Sequence, residues 1–234
     1  MIKIEKTEVV GWEAAIRGMR NPMNSWEKSD TCHCCERETC VGCAYDAGLN
    51  CLATSEPCDT VVIGSNDLAL MKKLVDAGSD HSKFMRMLVV YCDINAPLYW
   101  WKEHDTYKVG TVANSCSTMH KIHAKAFDRD DFSWEHLFND DREACSFYLD
   151  TLDIVIGALN DARTQYCRTK DKRYWKQMIQ LLPSSYNQKR TVEVNYAVLR
   201  NMYHARKNHR LDEWHAFCEW VESLPYAKEL ITGE

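Results

Sequence analysis

The sequence lacks any apolar run approaching the roughly 20 residues that a helix needs to cross a bilayer. Its first residues also lack the apolar stretch and small-residue cleavage site of a secretory signal, so we expect a cytoplasmic protein with no membrane partner. An excess of basic charge is missing too, since 29 Lys and Arg stand against 34 Asp and Glu, for a net charge of −5. This balance argues against binding to polymeric nucleic acid, although a basic pocket can still hold one nucleotide.

Internal repeats, heptad arrays and low-complexity tracts are also missing. The nine histidines include no HExxH motif, so they give no sign of a zinc-protease type of site. What is present is a chain of 234 residues with 45% hydrophobic content, which is enough to bury one substantial core. We therefore expect a single domain over residues 1–234.

Cysteines are abundant, and most of the 12 fall in a polar stretch that we interpret as an insertion over residues 31–59. Two CxxC pairs, Cys32 with Cys35 and Cys40 with Cys43, are separated by four residues. Four thiolates at such spacing can hold a structural zinc ion tetrahedrally. The short spacer leaves reduced thiols or an iron–sulfur cluster as alternatives.

Hydrophobic periodicity predicts an α/β (α+β) fold, with a mixed sheet flanked by long helices. Strands are predicted over 2–10, 85–94 and 190–195. Helices are predicted over 11–20, 65–77, 98–105, 141–168, 172–182, 197–207 and 212–224. Ser65-Asn66-Asp67 is the predicted N-cap of the second helix, and Pro97 fits the first turn of the third. Residues 109–120 are small and polar, which favours a loop lying against a ligand.

From about residue 80 onward, the order of these elements and several short strings resemble the flavin-dependent thymidylate synthases. In that family a strand leads into Ala-Pro and a helix, followed by Arg-His-Arg, seven residues and a serine. Here Ala96-Pro97 opens the same arrangement, which continues through Thr106-Tyr107-Lys108 and seven further residues to Cys116. The family's C-terminal string is resembled by Leu182-Pro183, Tyr186, Arg190, Asn195, Arg206 and His209.

The resemblance implies reductive methylation of deoxyuridine monophosphate (dUMP) to thymidylate in a homotetramer with sites between subunits. FAD would carry the hydride, methylenetetrahydrofolate the carbon, and NADPH would be the reductant. An alternative is a nucleotide- or flavin-binding protein on the same fold that has lost the methyl transfer or modifies another pyrimidine. The replacement of Arg-His-Arg by Thr106-Tyr107-Lys108 favours this alternative.

The resemblance also assigns roles to particular residues. Lys108 replaces an arginine that contacts flavin and nucleotide, and Cys116 replaces a serine near the reacting ring, where a thiolate would be a stronger nucleophile. Arg190 is the expected phosphate ligand, because a guanidinium can bind phosphate through two hydrogen bonds. The other expected substrate-binding residues are Lys102, Glu103, Asn114, Ser115 and Ser117. The expected flavin-binding residues are Ser82, Tyr107, Val109, Arg206 and His209.

Overall fold

The computed structural model describes residues 1–33, 61–137 and 147–233. The strands in those ranges are β1 (Lys3–Val10), β2 (Cys32–His33), β3 (Val61–Val62), β4 (Val89–Pro97), β5 (Thr111–Ser115) and β6 (Asn187–Asn195). The α-helices are α1 (Trp12–Arg20), α2 (Ser65–Asp76), α3 (Leu98–His104), α4 (Phe147–Thr169), α5 (Lys172–Leu181), α6 (Tyr196–Arg206) and α7 (Asp212–Glu222). None of the helices in these ranges is long and apolar enough to cross a membrane.

Four strands form the larger sheet, in the order β1-β4-β6-β5, and β2 pairs with β3 in a separate antiparallel ribbon. In β6, Val192 and Val194 are buried, whereas Thr191 is exposed and Glu193 and Asn195 are half-buried, which is the alternation expected of a pleated strand. In β4, Cys92, Asp93 and Ile94 are buried in succession, so both faces of that strand are covered. The predicted α+β architecture, a sheet flanked by helices, is confirmed.

The chain divides into two compact units, and each strand of the larger sheet has residues in both. Unit 1 comprises Met1–Glu5, Asp93–Thr106 and Ala113–Thr191. Unit 2 comprises Lys6–Cys92, Tyr107–Val112 and Val192–Glu234.

The core of unit 1 is built on α4 and α5. Leu152, Ile156 and Leu159 recur at helical spacing along α4 and are buried together with Met178 of α5. The side chain of Asp171 caps α5 by accepting the amide of Arg173 at 2.9 Å. Connecting segments add the buried side chains Ile122, Phe127 and Phe132. These side chains together form the apolar core of unit 1.

The core of unit 2 is built on α1, α6 and α7, whose buried faces carry mainly large apolar side chains. They are Trp12, Ile16 and Met19 of α1, Leu199, Met202 and Tyr203 of α6, and Trp214, Phe217 and Val221 of α7. Gly11 precedes α1 with a φ of 96°, and a Cβ there would lie 2.1 Å from the carbonyl oxygen of Met87. The close approach of these two backbone segments therefore requires glycine.

The start of α2 differs from its prediction. The expected N-cap, Ser65-Asn66-Asp67, does not cap the helix; the side chain of Asp30 accepts the amides of Asn66 at 2.9 Å and Asp67 at 3.0 Å instead. The carboxylate of Asp67 is fully buried and accepts a hydrogen bond from Arg20 Nε at 2.6 Å. A cap supplied from 36 residues away leaves no trace in the local sequence.

Other local predictions also need correction. Residues Lys83–Arg86 form a short 3₁₀ helix, so β4 begins at Val89 and not at Met85. Pro97 ends β4 and is also the N-cap of α3, one residue before the first turn in which it was predicted. The predicted loop over 109–120 contains β5, which lies at the edge of the sheet. An edge strand can be polar and exposed because its backbone pairing, not its side chains, holds it in place. Residues 141–146 of the predicted fourth helix lie outside the described residues.

Candidate functional site

A polar cleft of about 170 Å³ lies in unit 1. It is lined by Asn95, Cys116, Ser117, Thr118, Asp130, Asp131, Tyr186, Asn187, Gln188 and Lys189. Cys116 and Ser117 are the two predicted site residues that line it. Lys189, Tyr186 and Asn187 were not predicted as site residues, although they adjoin the predicted Arg190.

Hydrogen bonds to β6 fix the backbone beside the cleft. The Cys116 amide donates to the carbonyl of Lys189 at 2.9 Å, and the Gln188 side-chain amide donates to the carbonyl of Cys116 at 2.7 Å. The Ser117 hydroxyl accepts the amides of His120 at 2.8 Å and Met119 at 3.2 Å, which closes the turn that follows. The exposed thiol of Cys116 is thus presented from an ordered backbone.

Two titratable groups give the cleft its donors. Lys189 Nζ lies 3.0 Å from the Asp93 carboxylate, and this hydrogen bond and its charge raise the pKa of Lys189. Burial, with a contribution from Asp131, raises the pKa of Tyr186. At neutral pH the cleft therefore offers an ammonium group and a protonated phenol beside the amides of Asn187 and Asn95, a set suited to the polar edge of a small ring.

Arg190 is held by three neighbours within unit 1. Its Nη1 donates to Asp105 at 2.7 Å, its Nε donates to the Gln188 carbonyl oxygen Oε1 at 3.0 Å, and its guanidinium lies 4.1 Å from the ring centre of Trp101. Its side chain is only 14% exposed. Adjacent residues of a strand point to opposite faces, which separates Arg190 from Lys189. The expected role of Arg190 in binding phosphate stays a prediction.

In unit 2 a cluster of cation and aromatic rings, here called the Trp214 cluster, consists of Tyr107, Arg206, His209 and Trp214. Arg206 Nε donates to the Tyr107 hydroxyl at 2.8 Å, and its guanidinium lies 4.8 Å from the Trp214 ring centre and 5.5 Å from that of Tyr107. The rings of Tyr107 and His209 meet Trp214 edge to face at 6.3 and 6.2 Å. Three of these four side chains were predicted to bind flavin.

A backbone hydrogen bond determines the tautomer of the neutral His209 ring. The amide of Leu211 donates to His209 Nδ1 at 3.2 Å, so the neutral ring carries its proton on Nε2. Sequence reasoning missed Trp214, because a buried tryptophan on a helical face has the same pattern as an ordinary core residue.

Lys108 and Val109 are exposed at the turn before β5, and Val109 is 91% exposed. The turn depends on Gly110, which has a φ of 81°, and a Cβ there would lie 2.8 Å from Asn195 Nδ2. The same Nδ2 lies 3.4 Å from the Gly110 carbonyl oxygen. Asn195, at the end of β6, thus supports the turn that presents Lys108.

The remaining predicted residues lie on exposed or half-buried positions. Lys102 is exposed on α3, and the carbonyl of half-buried Glu103 accepts the Thr106 hydroxyl at 2.7 Å. Asn114 and Ser115 are exposed at the end of β5. The Ser82 hydroxyl donates to the carbonyl of Gly78 at 3.0 Å in a turn of unit 2. Their roles in binding stay predictions.

The predicted metal ligands fall mostly beyond the described part of the chain. Cys32 lies in β2, whereas Cys35, Cys40 and Cys43 lie outside the described residues. Among residues 1–33, 61–137 and 147–233, no group of three or more His, Cys, Asp or Glu side chains is arranged to hold a metal ion. The zinc site stays a prediction.

Comparison with solved structures identifies the fold. Thymidylate synthase X from Helicobacter pylori, solved with FAD and dUMP, matches 100% of this chain and 98% of its own at 14% identity and a TM-score of 0.64. A second structure of the flavin-dependent enzyme from Helicobacter pylori, with the same ligands, matches 99% and 98% at 15% identity and a TM-score of 0.63.

A UMP/dUMP methylase from Streptomyces cacaoi, bound with 5-Br dUMP, matches 100% of this chain and 95% of its own at 12% identity and a TM-score of 0.58. No protein-family model and no curated protein matches the sequence. The chain therefore has the fold of the flavin-dependent thymidylate synthases, and the resemblance seen in the sequence is confirmed at the level of the fold.

Proposed function

We propose that this protein is a flavin-dependent enzyme that methylates dUMP or a closely related pyrimidine nucleotide. The observation that carries the proposal is the Trp214 cluster. Tyr107, Arg206 and His209 were expected to contact flavin from a sequence resemblance alone, and they lie around one buried ring although about 100 residues of chain separate Tyr107 from the others. The three structural neighbours were each solved with a pyrimidine nucleotide, and two of them with FAD.

The Trp214 cluster fits FAD in its chemistry. The Arg206 guanidinium suits the pyrophosphate, the half-buried ring of Tyr107 suits the face of a ring system, and the Nε2 proton of His209 suits a carbonyl or phosphate oxygen. The fully buried Trp214 packs behind these groups. When bound, FAD supplies the hydride of the reaction. Methylenetetrahydrofolate as carbon donor and NADPH as reductant complete the proposed chemistry.

The cleft of unit 1 is the proposed place for the pyrimidine nucleotide. Lys189 supplies positive charge for a phosphate, while Asn187 and Asn95 supply the paired donors and acceptors that the edge of a uracil ring needs. Cys116 is the proposed nucleophile, because its thiol is exposed in the cleft and its backbone is fixed by β6. Orientation by these groups is the chain's main contribution.

A second function rests on the segment Thr106-Tyr107-Lys108. The Thr106 hydroxyl donates within its own turn to Glu103, and the Tyr107 hydroxyl accepts from Arg206. Lys108 is then the one cationic side chain among these three residues. A protein that binds nucleotide and flavin but has lost the methyl transfer, or that modifies another pyrimidine, is consistent with this loss of charge.

Tritium release from C5-labelled dUMP, with FAD, methylenetetrahydrofolate and NADPH, tests the proposal. We expect turnover, and we expect Lys108→Ala to slow it on the order of a hundredfold, because a lost donor in a preorganised site commonly has that effect. Lys72→Ala, an exposed change on α2, is the matched charge control. A purified protein that stays colourless and cannot be loaded with FAD would contradict the proposal, and tight dUMP binding without turnover would favour the second function.

Two further proposals concern assembly and the cysteines. We propose a homotetramer, supported by the exposed apolar Val109 and Val112 at the sheet edge, and light scattering on the purified protein tests it. We also propose one structural zinc ion per chain on Cys32, Cys35, Cys40 and Cys43. Elemental analysis of protein purified without added metal, under reducing conditions, tests that site.

A further inference from the structure

The side chain of Gln188 connects Arg190 to the cleft. Gln188 is 7% exposed, its Oε1 accepts from Arg190 Nε at 3.0 Å, and its Nε2 donates to the Cys116 carbonyl at 2.7 Å. Its backbone carbonyl accepts Trp101 Nε1 at 2.9 Å. Because this buried carboxamide is hydrogen-bonded at both ends, a displacement of Arg190 shifts Gln188 and, through it, the Cys116 carbonyl.

The orientation of the Gln188 carboxamide follows from the chemistry of arginine. A guanidinium has donors and no acceptor, so the oxygen of the Gln188 amide must face Arg190. The nitrogen then faces Cys116, where only a carbonyl acceptor can use its proton. Arg190 is held in turn by Asp105 at 2.7 Å and by the Trp101 ring at 4.1 Å. Three hydrogen bonds form one chain from Asp105 through Arg190 and Gln188 to Cys116, and the Trp101 ring packs against Arg190 beside it, all within unit 1.

We propose that Arg190 and Gln188 are positioning residues that hold the Cys116 backbone in the cleft, and that Arg190 does not bind the nucleotide phosphate. Arg190 already donates to Asp105 and Gln188 and its side chain is 14% exposed, whereas the side chain of Lys189 is 44% exposed. Lys189 lines the cleft and Arg190 does not. The inference rests on the proposed function for the ligand, but its geometry is independent of it.

Thiol labelling tests the positioning role without any nucleotide. Gln188→Glu keeps an acceptor for Arg190 but removes the donor to Cys116, and Arg190→Lys keeps the charge but not the planar fork. In each variant we expect the rate of iodoacetamide labelling at Cys116, followed by peptide mass spectrometry, to change by about threefold or more. Cys167, an exposed cysteine of α4, is the internal control and should label at the same rate.

Ligand selectivity tests the other half of the proposal. If Arg190 positions Cys116, Arg190→Met weakens dUMP and deoxyuridine binding by the same factor, whereas a lost phosphate ligand weakens dUMP alone. Lys189→Met should show the selective loss, by about tenfold. A selective loss in Arg190→Met, or unchanged Cys116 labelling in correctly folded Gln188→Glu and Arg190→Lys, would overturn the inference. A wild-type protein that binds neither ligand would contradict the proposed function, and the labelling result would still decide the positioning role.

Discussion

The cleft of unit 1 and the Trp214 cluster of unit 2 differ in the groups that they present. The cleft combines an ammonium, a phenol, a thiol and amides around about 170 Å³, which suits a small ring with a polar edge. The Trp214 cluster presents one guanidinium beside the half-buried rings of Tyr107 and His209, all packed on the buried Trp214 ring, which suits a larger ligand with a pyrophosphate. Under the proposed function, the cleft would hold the nucleotide and the Trp214 cluster the flavin.

The units also differ in how they use ion pairs. In unit 2, Arg20 and Asp67 form a pair that is 4% and 0% exposed, and Asp67 further accepts from Ser29 and Thr31. In unit 1, Arg129 pairs with Asp153 at the surface. Burial makes the first pair depend on complete hydrogen bonding, while solvent screens the second.

The largest expected effect is the loss of stability when the buried Arg20–Asp67 pair is broken, compared with the exposed Arg129–Asp153 pair. Asp67→Ala should lower the free energy of unfolding by about 3–5 kcal/mol, because it leaves the Arg20 charge buried without its partner. Asp153→Ala is the matched control in unit 1, and its unfolding midpoint should hardly move. Urea unfolding of both variants measures the difference. Equal midpoints would mean that the buried pair contributes no more than the exposed one.

A second prediction concerns buried His104 of unit 1 and the dependence of stability on pH. His104 is 3% exposed, and burial, with help from the nearby Arg190, lowers its pKa to about 4 against a weaker opposing effect of Asp105. The folded protein therefore keeps His104 neutral, while the unfolded chain binds a proton below about pH 6.5. The contribution of His104 to the free energy of unfolding is therefore fully present above about pH 6.5 and is lost as the pH falls toward 4.

The measurement compares wild type with His104→Gln, which cannot titrate. Between pH 7 and 4.5 the wild type should lose roughly 2–3 kcal/mol more of its unfolding free energy than the variant. The difference between the two proteins removes the effect of other acidic groups. Parallel loss in both would mean that solvent reaches the His104 ring.

Sequence reasoning predicted the helices, and it named three side chains that the structure brings together in the Trp214 cluster. That these side chains bind flavin stays a prediction. Tyr107, Arg206 and His209 stand at positions of a recognisable string, so a pattern identifies them. The predicted site does not include Lys189, because the resemblance assigns the phosphate ligand to Arg190. The strand predicted over 190–195 begins earlier, at Asn187. The first three residues of the longer strand, Asn187, Gln188 and Lys189, line the cleft, whereas Arg190 is held by Asp105, Gln188 and Trp101.

Other features of the molecule could not have been predicted. The cap of α2 comes from Asp30, and the orientation of Gln188 depends on Arg190 and on a carbonyl 72 residues away. Such long-range hydrogen bonds form only once the fold brings their partners together, and no local pattern encodes them. Trp214 could not be predicted either, because its sequence pattern is that of any core residue. Only the structure shows the Arg206 guanidinium against its ring.

The last prediction tests whether the two units really bind different ligands. Lys189→Met should weaken dUMP binding about tenfold, a discounted loss because the lysine is half exposed, and should leave FAD binding unchanged. Arg206→Met should do the reverse, weakening FAD binding about tenfold, because it removes both the cation and the hydrogen bond that holds Tyr107. Lys189→Arg keeps the charge and serves as the control for the cleft. Calorimetry with each ligand measures the four affinities. If either methionine variant weakens both ligands equally, the division of recognition between the cleft and the Trp214 cluster is wrong, and the two groups of residues act on one common ligand.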